Sequence, residues 1–117
     1  MNSSKREQEI IINEIEGTIA EILENFERME GIETSICGRI MSKRCMGKTS
    51  FFDISDRTGR IQVYVRMDDI GQEMYNATQR WDVGDSVGFV GEVFRTRRGD
   101  ISIKATVATL LSKTGGF

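Results

Sequence analysis

Apolar residues recur with two different periods along this chain, and the switch between them marks out its elements. Over residues 4–29, Ile12, Ile15, Ile19, Ile22, Phe26 and Met29 follow one another at spacings of 3, 4, 3, 4 and 3, which puts them on one face of an amphipathic helix. Gly17 interrupts the stripe at about 1 kcal/mol relative to Ala without forbidding a helix, and Gly31 is its expected stop. Beyond it the period becomes two. Strands are expected over residues 33–44, 49–55 and 60–66, with Gly38 marking a close approach or a bend in the first and with turns at Met46-Gly47-Lys48 and Asp56-Arg57-Thr58-Gly59. Ile70, Met74, Ala77 and Trp81, spaced by 4, 3 and 4, predict a short helix over 68–81 behind Asp68 or Asp69 as N-cap. Two further strands, 86–95 and 101–111, flank the turn Arg97-Arg98-Gly99-Asp100.

The run Ser50-Phe51-Phe52-Asp53-Ile54 poses a problem that period two makes explicit: adjacent rings cannot both point inward. With a two- or four-residue loop, Ile54 pairs with Ile61 and Phe52 with Val63, closing one apolar face. The opposite face then carries Phe51 beside Tyr64 and Asp53 beside Gln62, flanked by Lys43, Arg44 and Lys48 before it and Arg97 and Arg98 after it. Rings that stack on bases, cations that meet phosphates and an amide that reads a base edge are the parts of a single-stranded nucleic-acid surface. Two blander readings stand beside it: Phe51 covered by the N-terminal helix, and the basic residues merely solvated.

The order is a helix, three strands, a short helix and two more strands, with Gly88 and Gly91 inside a fourth strand that has little polar alternation. That is the order of a mainly β protein, a five-stranded OB-fold Greek-key barrel whose strand 2 and 3 face binds oligonucleotides or oligosaccharides. Domain boundaries follow: 1–32 the helix, 33–113 the barrel, 114–117 a short tail. At 117 residues the chain has room for one such domain.

Charge sharpens the partner. The net charge of -2 conceals eight Glu against three bases in residues 1–32, a balance of -5, and a balance of +3 in the remainder, so a basic body sits behind an acidic helix. There is no histidine, and the two cysteines, Cys37 and Cys45, are eight residues apart on or near one strand, too far along an extended chain to bond. No Cys/His metal site and no histidine-dependent catalysis can be assembled from that inventory, so no cofactor or metal is expected. No stretch approaches the roughly 20 apolar residues that span a bilayer, and MNSSKREQEI has no signal-peptide pattern. A cytoplasmic location is expected.

A longer set of segments resembles a known family. Gly38-Arg39-Ile40-Met41-Ser42-Lys43-Arg44, Met46-Gly47-Lys48, Ser50-Phe51, Gly59-Arg60-Ile61-Gln62-Val63-Tyr64-Val65, Asp68-Asp69, Tyr75-Asn76, Asp82-Val83-Gly84-Asp85 and Leu110-Leu111-Ser112-Lys113 are similar, in order and in register, to the N-terminal anticodon-binding domain of class II lysyl-tRNA synthetases. The resemblance implies a grip on the anticodon loop around its central uridine, as in the related aspartyl and asparaginyl enzymes. The family's stacking phenylalanine falls on Phe51, its uridine-reading glutamine on Gln62, its anticodon-contacting arginine on Arg44, and an acidic hairpin residue on Asp100, where the family commonly carries Glu.

In that family the chain continues into a catalytic domain. Neither the arginine-bearing motif 2 nor the glycine-rich motif 3 of class II synthetases is found in these residues, so this chain alone is not expected to be an enzyme, although its parent family would be a lysine-tRNA ligase. It is expected to be an excised domain or a free-standing relative. The expected partner is a lysine-type tRNA anticodon loop (UUU-like). Two alternatives are a general single-strand-binding OB protein and an assembly domain that forms a homodimer through Ile12, Ile19 and Phe26, whose spacing also fits a heptad seam.

Overall fold

A computed structural model of the chain describes residues 19–113. The first part of the N-terminal stripe, with Ile12, Ile15 and Gly17, and the 114–117 tail lie outside the described residues. What is described of the stripe forms two short helices, α1 (Ile19–Glu24) and α2 (Phe26–Met29). They meet at Asn25, whose side-chain amide donates to the Glu21 carbonyl at 2.8 Å. The cap falls on Glu30, one residue before the expected Gly31.

Ile19, Ile22, Phe26 and Met29 are buried in the domain's own core. Of the residues expected to form a seam with a second copy, Ile19 and Phe26 are therefore already covered by the barrel. Burial of each side chain stabilises the fold by about 1.5 to 3 kcal/mol, a gain that exposure for a seam would forfeit.

Five strands follow: β1 (Glu33–Met46), β2 (Thr49–Ser55), β3 (Arg60–Arg66), β4 (Ser86–Arg95) and β5 (Ile101–Ser112). They close in the order β1-β2-β3-β5-β4. β1 serves two neighbours, pairing with β4 over its first half and with β2 over its second, while β5 enters between β3 and β4 and runs parallel to β3. Inside, Phe52, Trp81 and Phe89 form a ring cluster with centroids 5.7 to 6.2 Å apart, packed with Ile40, Ile54, Val63, Val87 and Ile103. Gly38 is where β1 passes β2 closely, since a Cβ there would stand 2.5 Å from the Ser55 carbonyl oxygen.

The register of β2 on β3 is the expected one: Phe51 opposite Tyr64, Phe52 opposite Val63, Asp53 opposite Gln62 and Ile54 opposite Ile61. Three irregularities bend the barrel. One lies in β1 between Ile40 and Ser42, where Met41 is the extra residue; the others lie between β4 and β5, at Ser86 and Val87 and at Val90 and Gly91. Such bulges tighten the local twist and let long strands turn a corner.

The helix expected over 68–81 is two helices, α3 (Met67–Ile70) and α4 (Gln72–Gln79), separated by Gly71 at φ 90°. Its N-cap is Arg66, with no side-chain capping bond, and not Asp68 or Asp69. Both aspartates instead sit in the first turn and pair with the Arg66 guanidinium at 3.9 and 3.7 Å. No helix among the described residues is long and apolar enough to cross a membrane.

The β2–β3 turn is tied to α1 by one carboxylate. Asp56 Oδ1 accepts from the Thr58 N–H and hydroxyl at 2.7 Å each and from the Gly59 N–H at 3.0 Å, while Oδ2 accepts from the Ile19 N–H at 2.8 Å. Burial pushes this carboxyl up, but the bonds from Thr58, Ile19 and Gly59 together outweigh it and hold the group below its ordinary value of 3.8. Because the folded form resists protonation, the stabilisation is complete well above pH 3.8 and fades as pH falls below it through the lower folded value. Asp56→Asn is expected to lose about 1 to 2 kcal/mol in urea unfolding at neutral pH, with the gap from wild type narrowing in acid below pH 3.8. A gap that does not change with pH would show that the carboxylate charge contributes nothing.

Candidate nucleic-acid interface

The outer face of the sheet is built by parity. In the first half of β1, Ile36 and Ile40 point inward, so simple alternation would send Ser42 and Arg44 inward too. The bulge at Met41 reverses this: Ser42 pairs with Asp53 and Arg44 with Phe51 on the outer face, while Lys43 pairs with the buried Phe52. Continuing through β3, β5 and β4, the pairings lay out two parallel rows. One runs Arg44, Phe51, Tyr64, Lys104, Glu92; the other runs Ser42, Asp53, Gln62, Ser102, Phe94.

The first row holds the ring pair. Phe51 and Tyr64 lie 4.9 Å apart with planes tilted by 56°, and the Arg44 guanidinium carbon sits 5.5 Å from the Phe51 centroid. That is within cation–π reach. Both rings are half-buried rather than enclosed. Phe94 joins from the second row, 6.2 Å from Tyr64 and tilted by 65°.

The second row carries hydrogen-bonding groups. Gln62 Oε1 accepts from the Ser102 hydroxyl at 3.3 Å; Asp53 Oδ2 accepts from the Ser42 hydroxyl at 2.7 Å and faces the Arg60 guanidinium at 3.7 Å. Beside them opens a cavity of about 460 Å³, lined by Asp53, Arg60, Gln62, Asp100 and, from α1, Leu23. The structure therefore brings Asp100 of the β4–β5 hairpin to the same cavity as Gln62. The cavity's two carboxylates can accept from hydrogen-bond donors such as a base N–H, and Arg60, which faces Asp53, brings a cation to the same cavity. A larger cavity of about 850 Å³, lined by Cys37, Arg39, Met41, Asp56 and Leu111 among others, contains none of the ring or amide residues.

The remaining expected residues divide. Lys48, Arg97 and Arg98 are exposed at the turn and hairpin that rim the face. Lys43 is turned away from it: its ammonium donates to the carbonyls of Gln79 and Trp81 at 2.7 and 2.8 Å, closing the C-terminal end of α4 over the barrel. The physical reason is the bulge, which gives Lys43 the inward parity of Phe52. Phe94, Ser102 and Lys104 were not anticipated. Phe94 was within reach of pattern alone, since Val87, Phe89 and Val93 are inward and leave position 94 outside. Lys104 was not, because its place depends on the parallel pairing of β5 with β3.

Residues 34–111 match a tRNA anticodon-type family described as the OB-fold nucleic acid binding domain. The chain belongs to this family. Among curated members it is 44% identical over 101 residues to the lysine–tRNA ligase of Moorella thermoacetica, covering 86% of this chain and 21% of that protein. It is 50% identical over 93 residues to the lysine–tRNA ligase of Pelotomaculum thermopropionicum, covering 80% and 18%. The chain thus spans about a fifth of the length of these relatives. Its fold is shared with asparaginyl-tRNA synthetase from Pyrococcus horikoshii complexed with asparaginyl-adenylate, at a TM-score of 0.69 and 22% identity over 77% of this chain and 21% of that one. The OBody AM1L10 bound to hen egg-white lysozyme has it too, at a TM-score of 0.64 and 20% identity over 74% and 85%.

The division between Lys43 and Arg44 is testable in this OB domain without any ligand. Lys43→Met is expected to lower stability by about 1 to 2 kcal/mol, through loss of two charge-assisted bonds to helix-terminal carbonyls. Arg44→Met on the exposed face should change it by no more than about 0.5 kcal/mol. Equal losses in urea unfolding would contradict the assignment.

Proposed function

We propose that this chain binds the anticodon loop of a tRNA, of the lysine-accepting type with a UUU-like anticodon, on the outer face of β2 and β3. The observation that carries the proposal is Phe51, a ring held on the outer face beside Tyr64, in the row next to the one that carries Gln62. Phe51 stacks on the central base with Tyr64 as its neighbour, and Gln62 supplies the donor and acceptor that a uracil edge matches. Arg44 lies over the ring, where its charge meets both the aromatic face and a phosphate. Lys48, Arg97 and Arg98 reach phosphates from the rim, and Asp100 accepts a base N–H from across the cavity. Lys43 contributes indirectly, by holding the end of the barrel.

Identity to lysine–tRNA ligases supports the lysine type. On this proposal the chain supplies recognition and no catalysis, and its parent protein would be a lysine–tRNA ligase of the cytoplasm. Assembly through the N-terminal helix would have to use residues other than Ile19 and Phe26, which are already buried.

Titration of a UUU anticodon stem-loop and of one with an unrelated anticodon should give tighter binding to the first. Equal affinities that fall steeply with salt would leave only general single-strand binding. Separately, Phe51→Ala is expected to lose about 1 to 3 kcal/mol of binding free energy to the UUU loop. Wild-type affinity in that variant would remove Phe51 from the interface.

A further inference from the structure

One short stretch, residues 79–85, grips β1 on both sides of its extra residue. Before Met41, Ile40 donates its N–H to the Asp85 carbonyl at 3.0 Å and accepts from the Gly84 N–H at 2.8 Å. After Met41, the Lys43 ammonium donates to the carbonyls of Gln79 and Trp81. We infer that the buried carboxylate of Asp85, partnered by Lys113, is a positioning group for Arg44: by closing the 82–85 turn it holds the bulge at Met41 and with it Arg44 against the Phe51 ring. The inference rests on the proposed anticodon face using Arg44.

The place of the bulge decides which cation meets the rings. Ile40 is fully buried and points inward, so an unbroken strand would turn Lys43 outward and Arg44 inward. One extra residue between Ile40 and Ser42 reverses this and sets Arg44 opposite Phe51, with its guanidinium carbon 5.5 Å from the ring centroid. Were the extra residue taken up later in the strand, Lys43 would replace Arg44 on the face. A compact ammonium cannot lie flat over a ring as a planar guanidinium does. Holding Ile40 and Lys43 at once forces β1 to take up Met41 between them.

The two holds are joined by one side chain. The last pair of β1 with β4 is Arg39 with Ser86, so Ile40 is gripped by the turn beyond the strand. Asp85 Oδ2 accepts from the Asp82 N–H at 2.8 Å, which ties the Ile40 hold to the residue that follows Trp81 in the Lys43 hold. Asp85 is 0% exposed, and the same oxygen accepts from the Lys113 ammonium at 2.9 Å. A carboxylate so enclosed is retained only with a partner. Lys113 follows directly on β5 and also meets Asp82 at 3.4 Å. Its bond to Asp85 holds the ammonium above its ordinary value of 10.5, so it is charged at neutral pH.

The test uses the whole chain and the UUU anticodon stem-loop. Arg44→Met should weaken binding about 3- to 10-fold. Asp85→Asn and Lys113→Met should each weaken it by a similar factor, and Lys113→Arg should retain it. In either background Arg44→Met should then cost less than about twofold more, whereas Arg98→Met should cost the same factor in every background. Without RNA, the NMR cross-relaxation between the Arg44 side chain and the Phe51 ring should be lost in both variants. A purely structural role for Asp85 would lower the urea midpoint while leaving the ring contact and the Arg44→Met factor unchanged, and that result overturns the inference. Should Asp85→Asn unfold, Lys113→Met decides. Binding by the wild-type chain that ignores Arg44→Met also overturns it, leaving Phe51 and Gln62 in place. Failure of the wild-type chain to bind the stem-loop overturns the anticodon reading, and the ring contact then still decides whether Asp85 positions Arg44.

Discussion

The register of β2 against β3 is the constraint from which the rest of this domain follows. Phe52 opposite Val63 and Ile54 opposite Ile61 are all buried, and their burial leaves no choice about the other parity. A slip of β2 by one residue against β3 would carry Phe51 and Asp53 into the core and bring Phe52 and Ile54 out. Two apolar side chains at about 1.5 to 3 kcal/mol each oppose that slip, a large share of the stability of a small domain. The outer face is thus held by the same pairs that hold the core.

The helices brace that face from below and from the side. α1 and α2 bury four apolar residues, and α1 is joined through its first amide to the Asp56 carboxylate of the β2–β3 turn, so the turn that sets the register is itself clamped. α4 covers one end of the barrel, with Lys43 bonding its last carbonyls and Trp81 stacking into the Phe52 and Phe89 cluster. Tyr75 adds a buried bond to Ser50 at 2.9 Å. On the proposed function this rigidity favours binding, since less ordering of the rings remains to be done.

The face combines attraction and selection. Arg44, Lys48, Lys104, Arg97 and Arg98 surround it with positive charge, while Asp53 and Asp100 place negative charge within the cavity beside Gln62. Cations at the rim favour any polyanion at low salt. Within the cavity these carboxylates are joined by Arg60, which faces Asp53 at 3.7 Å. The acidic N-terminal stretch lowers the net charge of the chain and so hides this basic rim from a whole-chain pI.

How much of this could be read before folding depends on the range of the cause. The limits of β2 and β3, their inward and outward sets, their register and the outward place of Phe51 were all legible, because period-two alternation is local and two adjacent rings must face opposite ways, whereas β1 runs two residues past its expected end, to Met46. The helix breaks at Asn25 and Gly71 were not foreseen, since a spacing of three and four persists across a kink. Nor was the exchange of Lys43 for Arg44 on the ring face derivable from alternation, because it is made by a single extra residue at Met41 that only pairing with β2 reveals. The position of Lys104 beside Tyr64 and the approach of Phe94 over Ser102 belong to the closed barrel alone. The sequence by itself determined which side chains point outward along β2 and β3; tertiary structure decided the faces of β1 beyond its bulge and which residues are neighbours, because neighbours across a closed barrel are set by shear, bulges and a parallel contact that no local pattern encodes.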